Sequence, residues 1–342
     1  MKLSKRRRET TTMMTSTTTR MVKQARLLLL LFALTCSIVS HAQTSTTTAT
    51  APAQREAARQ SQESPRSERV RTIQLESKLV GKTLPYNVLL PVDYASPSAG
   101  AKRYPVLYLL HGLTGHYGNW LDHTRLAEYA AAYHFIIVMP EGNNGWYTDS
   151  STVATDKYET YILRELIPDV AKQFRTVESR EGRAVAGLSM GGYGALKFGV
   201  KQPELFAFAG SMSGAVSAAS WRSEDELQIV PFIKQSLLQT FGSADHAVKT
   251  SNDLFKLVRE LPPERLARLP FLYLDCGTED PLHLLAPNRA FADLLVERKI
   301  PHEYRQLPGT HSWAYWDKQV REVLRITAQI FKSEPEAHAA TK

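Results

Sequence analysis

Cysteine is scarce in this sequence, with only Cys36 and Cys276 among 342 residues. Two cysteines cannot form a disulfide scaffold, and removal of residues 1–42 would leave only Cys276, which excludes a thiolate metal site. We expect no metal in the site. Cys276 lies in an apolar run and is expected to be a buried small residue. The chain is long enough to bury a large core without such crosslinks.

The chain also lacks a basic surface outside its N-terminus. Its net charge is +8, but twelve basic and only four acidic residues lie within residues 1–70. The rest carries thirty residues of each sign, so it offers no electrostatic footprint for a phosphate backbone. We therefore expect no nucleic-acid partner, and we expect no cofactor.

The N-terminal apolar run is short. Residues 27–39 follow a basic stretch that begins at Met21 and precede Ser40-His41-Ala42. Thirteen residues at 1.5 Å per residue do not cross a hydrocarbon core of ~30 Å, so we expect no stable membrane span. Residues 1–42 are therefore predicted to be a signal peptide, with Met21 as an alternative start, and the mature protein to be periplasmic or extracellular.

Composition changes again after the apolar run. Residues 43–69 are rich in Thr, Ala, Gln, Ser and charge, which predicts a flexible tether. One folded domain is expected over 70–332, with a disordered tail over 333–342.

Strand and helix patterns alternate through this domain. The continuous apolar run at 104–110 is typical of a strand covered on both faces, and 135–140 is expected to be the next buried strand. Strands are also predicted at 183–188, 206–212 and 271–276. Helical spacing separates them, which predicts an α/β fold with a mostly parallel central sheet and helices on both faces. Residues 213–270 are expected to form a short helical lid insertion.

The sharpest motif is Gly187-Leu188-Ser189-Met190-Gly191, which directly follows a predicted strand and begins a predicted helix. A G-x-S-x-G sequence in this context is the nucleophile elbow of α/β-hydrolases. The glycines are needed because side chains two residues on either side of the serine would clash in the tight turn. Ser189 is therefore the predicted nucleophile.

An acid and a base are expected later in the chain, in the order Ser…Asp/Glu…His. Asp280 follows the predicted strand at 271–276, and His311 lies between the last strand and the last helix. Such loop positions let a histidine face both an acid and a serine. Asp275 and Glu279 remain alternatives to Asp280 as the acid.

Two further features follow strand ends. The His111-Gly112-Leu113 turn is predicted to supply the Leu113 N–H to an oxyanion hole, together with the Met190 N–H. We expect His111 to support this loop. Substrate contacts are predicted from polar and aromatic side chains near the mouth of the site: Trp120, Asn144, Trp146, Tyr193 and Trp313. For the aromatic side chains, packing in the core and at its rim is the alternative.

The chain resembles the esterase D-like esterase family of the α/β-hydrolase superfamily over residues 70–332. The matching stretches are 104–112, Trp120, 158–160 with 165–166, 187–195, 276–280 and 309–313. The family includes S-formylglutathione hydrolases, tributyrin esterases, feruloyl and acetylxylan esterases, and mycolyltransferases. The resemblance implies the α/β-hydrolase fold and a Ser189–Asp280–His311 triad, but it does not specify the substrate.

We therefore expect a secreted serine esterase that acts on a small-molecule or polysaccharide-linked ester through an acyl-enzyme. An acyltransferase using the same acyl-enzyme and an S-formylglutathione hydrolase-like thioesterase remain alternatives. A catalytically inactive hydrolase fold that serves as a binding module is disfavoured, because all three triad residue types are present.

Overall fold

The computed structural model describes residues 68–227 and 229–332. The predicted signal peptide, nearly all of the predicted tether and the predicted tail lie outside these residues and stay predictions. Within the described part, no helix has both the length and the apolar character needed to cross a membrane.

One mixed sheet of eight strands organises the described residues, in the order β1-β2-β4-β3-β5-β6-β7-β8. The first two strands pair antiparallel and β2 pairs antiparallel with β4, whereas all later pairs are parallel. The predicted α/β fold with a mostly parallel sheet is therefore confirmed. The strands are β1 Val70–Ser77, β2 Lys82–Leu89, β3 Val106–Leu110, β4 Ile136–Pro140, β5 Arg183–Leu188, β6 Phe208–Met212, β7 Phe271–Gly277 and β8 His302–Leu307.

Helices cover both faces of this sheet. In β3, Val106, Tyr108 and Leu110 pack into one apolar core, while Leu107 and Leu109 pack into the other. Burial on both faces is the physical reason for the continuous apolar runs in the sequence. The α-helices are α1 Asn119–His123, α2 Leu126–Tyr129, α3 Tyr158–Tyr161, α4 Ile167–Gln173, α5 Met190–Lys201, α6 Pro231–Phe241, α7 Ala247–Thr250, α8 Leu254–Glu260, α9 Pro263–Leu266, α10 Leu285–Glu297 and α11 Trp313–Lys332.

Several predicted elements have different bounds in the structure: the strand expected at 206–212, for example, begins at Phe208. Two of the differences involve a proline. The strand expected at 104–110 begins at Val106, because Pro105 has no N–H and Tyr104 makes only an isolated bridge. The helix expected over 158–174 contains a π-helical turn, Ile162–Leu166, just before Pro168. A widened turn accommodates a proline that would otherwise clash with the preceding carbonyl.

The segment between β6 and β7 contains the short helices α6 to α9, in the region where the sequence predicts a lid. Leu227, Ile233 and Leu237 of this segment line a cavity together with Ser189, which follows the carboxyl end of β5. The segment therefore lies beside the carboxyl ends of the parallel strands. Carboxyl ends of parallel strands are where open α/β sheets bind their ligands.

A buried lysine connects α5 to the loop that follows β4. Lys197 Nζ donates to the Tyr147 carbonyl (2.6 Å), to Thr148 Oγ1 (2.6 Å) and to Glu159 Oε2 (2.8 Å). Burial lowers the pKa of Lys197 to about 8, although Glu159 opposes this shift. The ammonium group thus has three acceptors, and it holds the loop against α5. Hydrophobic patterning in the sequence does not predict this contact.

We predict that Lys197→Met destabilises the protein by about 3 kcal/mol, because it leaves buried acceptors unpaired. Lys201→Met is the matched control: Lys201 also pairs with Glu159 but is partly exposed, and its loss is expected to cost under ~1 kcal/mol. Urea unfolding of the two variants measures both values. Equal losses would contradict the structural role given to Lys197.

Candidate active site

A strained turn presents Ser189 at the end of β5. Its backbone has φ 54° and ψ −117°, and α5 begins at the next residue. A Cβ on Gly191 would lie 2.5 Å from the His111 carbonyl oxygen, and one on Gly187 would lie 2.5 Å from the Gly191 carbonyl oxygen. Backbone therefore approaches backbone on both sides of the serine, and only glycine fits at these positions.

Asp280 and His311 lie beside this serine. His311 Nε2 is 3.0 Å from Ser189 Oγ, and His311 Nδ1 is 2.8 Å from Asp280 Oδ2. The other oxygen of Asp280 accepts the Leu282 N–H at 2.9 Å. An ionised carboxylate only accepts hydrogen bonds, so the imidazole proton lies on Nδ1 and Nε2 is free to accept the serine hydroxyl.

The two alternative acids lie elsewhere. Glu279 is exposed to solvent. Asp275 is fully buried at the end of β7, where one oxygen accepts the Tyr315 hydroxyl at 2.8 Å. Its other oxygen has no partner among the described residues. Burial raises the pKa of Asp275 to about 7.

The turn after β3 passes directly over the serine. A Cβ on Gly112 would lie 2.6 Å from Leu188 Cδ1 and 3.4 Å from Ser189 Cβ. In the described part of the chain, the N–H groups of Leu113 and Met190 donate to no other group. Two unpaired N–H groups near a nucleophile are the arrangement that an oxyanion hole requires.

His111 holds this turn in place. Its Nε2 accepts the Gly142 N–H at 2.9 Å and its Nδ1 donates to the Gly112 carbonyl at 2.7 Å. Both contacts are satisfied by a neutral imidazole with its proton on Nδ1. Glu141 lies 3.4 Å from Nε2, but in this tautomer that nitrogen is an acceptor, and the pair is therefore not an ion pair.

Ser189 and His311 open into a cavity of about 790 Å³, within the usual size range of ligand sites. Its walls are mostly apolar. The side chains that line it include Leu113, Trp146, Ala215, Ala218, Trp221, Leu227, Ile229, Val230, Phe232, Ile233, Leu237, Leu282 and Leu284.

Of the five predicted substrate contacts, Trp146 lines this cavity and Asn144 lines an adjacent one. Three do not line either cavity. Trp120 and Tyr193 are buried and donate to the carbonyls of Leu110 and Asn252, and Trp313 packs edge-on against Trp120 at 5.5 Å. The polar atoms of Trp120 and Tyr193 are satisfied in the interior, as is usual for buried Trp and Tyr.

The lid supplies cavity residues that sequence reasoning missed. Trp221 and Leu227 line the cavity from this segment, as do Ile229, Val230 and Phe232, whose side chains are 41%, 48% and 53% exposed. The available signal was the run of apolar residues around Pro231. This run did not by itself indicate a binding site, because apolar residues in a short helix usually pack in the core.

The chain matches the model of the family described as "Putative esterase" over residues 77–326. Esterase Rv1288 of Mycobacterium tuberculosis is 34% identical over 69% of this chain and 54% of that protein, so the chain spans about half the length of this relative. An acetyl esterase of Caldicellulosiruptor saccharolyticus is 27% identical over 75% of this chain and 97% of that protein. The solved structure of FphF, a fluorophosphonate-binding serine hydrolase of Staphylococcus aureus, is 26% identical with a TM-score of 0.66, over 76% of this chain and 98% of that chain.

We predict that Asp275 makes stability depend on pH. Its pKa is raised from 3.8 to about 7 in the folded state, so folding retains a proton that the unfolded chain releases near pH 4. Its contribution to stability is therefore complete below pH ~4 and is lost as the pH rises through about 7. Asp275→Asn keeps the group neutral and is expected to reduce the fall in Tm between pH 5 and pH 8.

Thermal unfolding at the two pH values checks this, with Glu279→Gln as the exposed control. A fall in Tm that is the same in wild type and Asp275→Asn would contradict the assignment of the titration to Asp275.

Proposed function

The chain belongs to the esterase family whose model matches residues 77–326, and from this premise we propose that it hydrolyses carboxylic esters through an acyl-enzyme on Ser189. The continuous hydrogen-bonded chain from Asp280 through His311 to Ser189 carries the proposal. The three groups come from loops after β7, β8 and β5, and each lies within hydrogen-bond distance of the next.

The chemistry follows from this order. His311 Nε2 takes the proton of Ser189 Oγ as the oxygen attacks the ester carbonyl, and Asp280 stabilises the imidazolium that forms. The N–H groups of Leu113 and Met190 bind the oxyanion of the tetrahedral intermediate. His311 then gives its proton to the departing alkoxide, which leaves the acyl group on Ser189.

Water completes the cycle by the same route in reverse. His311 removes a proton from a water molecule that attacks the acyl-enzyme, and Ser189 leaves as the protonated alcohol. We assign water as the acceptor in line with the two esterases described above, one of which is 34% identical to this chain over the aligned residues. An acyltransferase or a thioesterase would use the same acyl-enzyme with a different acceptor or leaving group.

The apolar cavity is the proposed site of the acyl group. Ser189 and His311 lie at its wall, and its other walls are formed by Trp146, Trp221 and the aliphatic side chains of the lid. Burying apolar substrate surface there contributes binding of ~25 cal/mol per Å². The cavity volume of about 790 Å³ accommodates an aryl group or an extended alkyl chain better than an acetyl group alone.

We also propose that the protein is exported. The proposal is supported by the order of three features in the sequence: a basic stretch that begins at Met21, the apolar run of residues 27–39, and then Ser40-His41-Ala42.

The triad assignment is tested by four variants. Ser189→Ala is expected to abolish ester hydrolysis, and Asp280→Asn to lower kcat by up to ~10⁴, because the amide favours the wrong tautomer of His311. Asp275→Asn and Glu279→Gln are expected to retain kcat within a few-fold, since neither side chain contacts His311. Measurements use 4-nitrophenyl esters at one pH, with folding checked by circular dichroism.

A fluorophosphonate probe gives a second readout, because such reagents bind the nucleophilic serine of a hydrolase. Wild type should be labelled on Ser189 and Ser189→Ala should not. Loss of activity in Asp275→Asn with normal activity in Asp280→Asn would mean that the acid is wrongly assigned. Undiminished activity in Ser189→Ala would overturn the mechanism.

The export proposal predicts a mature chain that begins at Gln43. N-terminal sequencing of the protein recovered from the periplasm or the medium measures this. A membrane-bound product that retains residues 27–42 would contradict it.

A further inference from the structure

The apolar cavity beside Ser189 has an open side and a closed side. On the open side, the side chains of Val230 and Phe232 are about half exposed to solvent. On the closed side, Trp146 and Trp221 line the cavity and are only 3% and 5% exposed. Exposed side chains can move aside for a ligand, whereas buried ones are held by their neighbours. The closed side therefore sets the fixed dimensions of the cavity.

Trp146 is held by the loop that follows β4. Its indole N–H donates to Ser236 Oγ at 3.1 Å. Trp146 and Tyr147 both have left-handed backbone conformations, with φ of 52° and 51°. Backbone strain of this kind persists only where the surroundings over-determine it. Trp146 is therefore a rigid part of the closed side.

Trp221 is held at one edge of its ring and through its neighbour in the chain. Its indole N–H donates to the Ala218 carbonyl at 3.2 Å. The hydroxyl of Ser220 donates to Asp253 Oδ1 at 2.7 Å, and the same oxygen accepts the Phe255 N–H at the start of α8. These contacts fix the backbone and one edge of the indole, so its faces are held by packing alone.

Lys249, in α7, contacts one of these faces. Its side chain is buried, and Nζ lies over the Trp221 ring at 5.0 Å from the centroid. In the part of the chain that the structure describes, this ammonium group makes no hydrogen bond and no ion pair. Lys249 does not line the cavity, whereas Trp221 does, so the lysine contacts the ring from outside the cavity.

This contact stabilises both partners. A buried ammonium group needs compensation for its lost hydration. The face of an indole ring within about 6 Å attracts a cation more strongly than the other aromatic rings do. The lysine stem also fills the space behind the ring. Lys249 therefore opposes any movement of Trp221 away from the cavity.

We propose that Trp221 sets the upper limit on the length of the acyl group, and that Lys249 is the positioning residue that holds its ring as a fixed wall. This inference rests on the proposed function, because it names the residue that selects among acyl groups at the same site.

A series of linear 4-nitrophenyl esters, from butanoate to dodecanoate, measures the length limit. Burying each further methylene group adds roughly fourfold to binding, so kcat/KM should rise with length until the chain reaches Trp221. Trp221→Ala is expected to move the optimum to longer chains. For the ester one methylene beyond the wild-type optimum, kcat/KM relative to that optimum should increase by about fourfold or more.

The role of Lys249 is tested with the same series. Lys249→Ala opens space behind the ring, and Lys249→Met keeps the stem but removes the charge. Both are expected to move the optimum in the same direction as Trp221→Ala, by a smaller amount. Lys249→Arg keeps a cation on the ring and should retain the wild-type optimum. The optimum is a ratio of rates from one preparation, so a loss of folded protein does not move it.

Lys256→Ala is the matched control, because Lys256 is an exposed lysine on α8 that does not line the cavity. It should leave the optimum unchanged. An unchanged optimum in Trp221→Ala would overturn the length limit. A wild-type optimum in both Lys249→Ala and Lys249→Met, or an equal shift in Lys249→Arg, would overturn the positioning role.

A binding measurement separates this proposal from the proposed function. Linear carboxylates from butanoate to dodecanoate are titrated by calorimetry into Ser189→Ala, and into the same protein carrying Trp221→Ala. Affinity should stop rising at a longer chain when Trp221 is replaced. The same chain-length dependence in both proteins, or no binding of any carboxylate, would overturn the length limit. Failure of wild type to hydrolyse any ester contradicts the proposed function alone.

Discussion

Close backbone contact around Ser189 is the constraint on which the rest of the site depends. The elbow lies against the turn that follows β3, because the carbonyl oxygens of Leu110 and His111 lie within 2.6 Å of where a Cβ on Gly191 would be. This contact brings the Leu113 N–H near the nucleophile, and the parallel pairing of β3 with β5 sets its register. A side chain at Gly191 would collide with the backbone of this turn. The nucleophile and the oxyanion donors are therefore positioned by the same packing.

The loop after β4 extends this arrangement outward. His111 accepts a hydrogen bond from Gly142, and Asn144 accepts one from Thr114, so the loop is tied twice to the turn over the serine. On its other side Lys197 binds the Tyr147 carbonyl. A buried, fully paired ammonium group can hold left-handed residues that would otherwise relax. The loop that carries Asn144 and Trp146, which line the two cavities, is therefore held from both sides.

Much of the fold could be predicted from the sequence. Strands buried on both faces leave continuous apolar runs, and glycines at fixed spacing around Ser189 identify the elbow. Two of the differences, the start of β3 after Pro105 and the π-helical turn before Pro168, lie where a proline removes a backbone donor. The order of Ser189, Asp280 and His311 along the chain also indicated a triad, because each residue follows a strand and parallel strands bring their carboxyl ends to one edge.

Sequence alone indicated a mostly parallel sheet, the elbow, Ser189 and His311, and it left three candidates for the acid. The structure decided for Asp280, whose Oδ2 lies 2.8 Å from His311 Nδ1. Only the tertiary structure decided which side chains near the triad face the cavities, because a pattern along the chain does not specify the direction of a side chain in a loop or lid. Trp120 and Tyr193 point inward and donate to backbone carbonyls, and Trp313 packs against Trp120. Trp221 and Phe232 instead line the cavities from a distant segment. The wall between the apolar cavity and the adjacent cavity lined by Asn144 depends on contacts between residues far apart in sequence, such as the hydrogen bond from Trp146 to Ser236. No local pattern encodes a contact of that range.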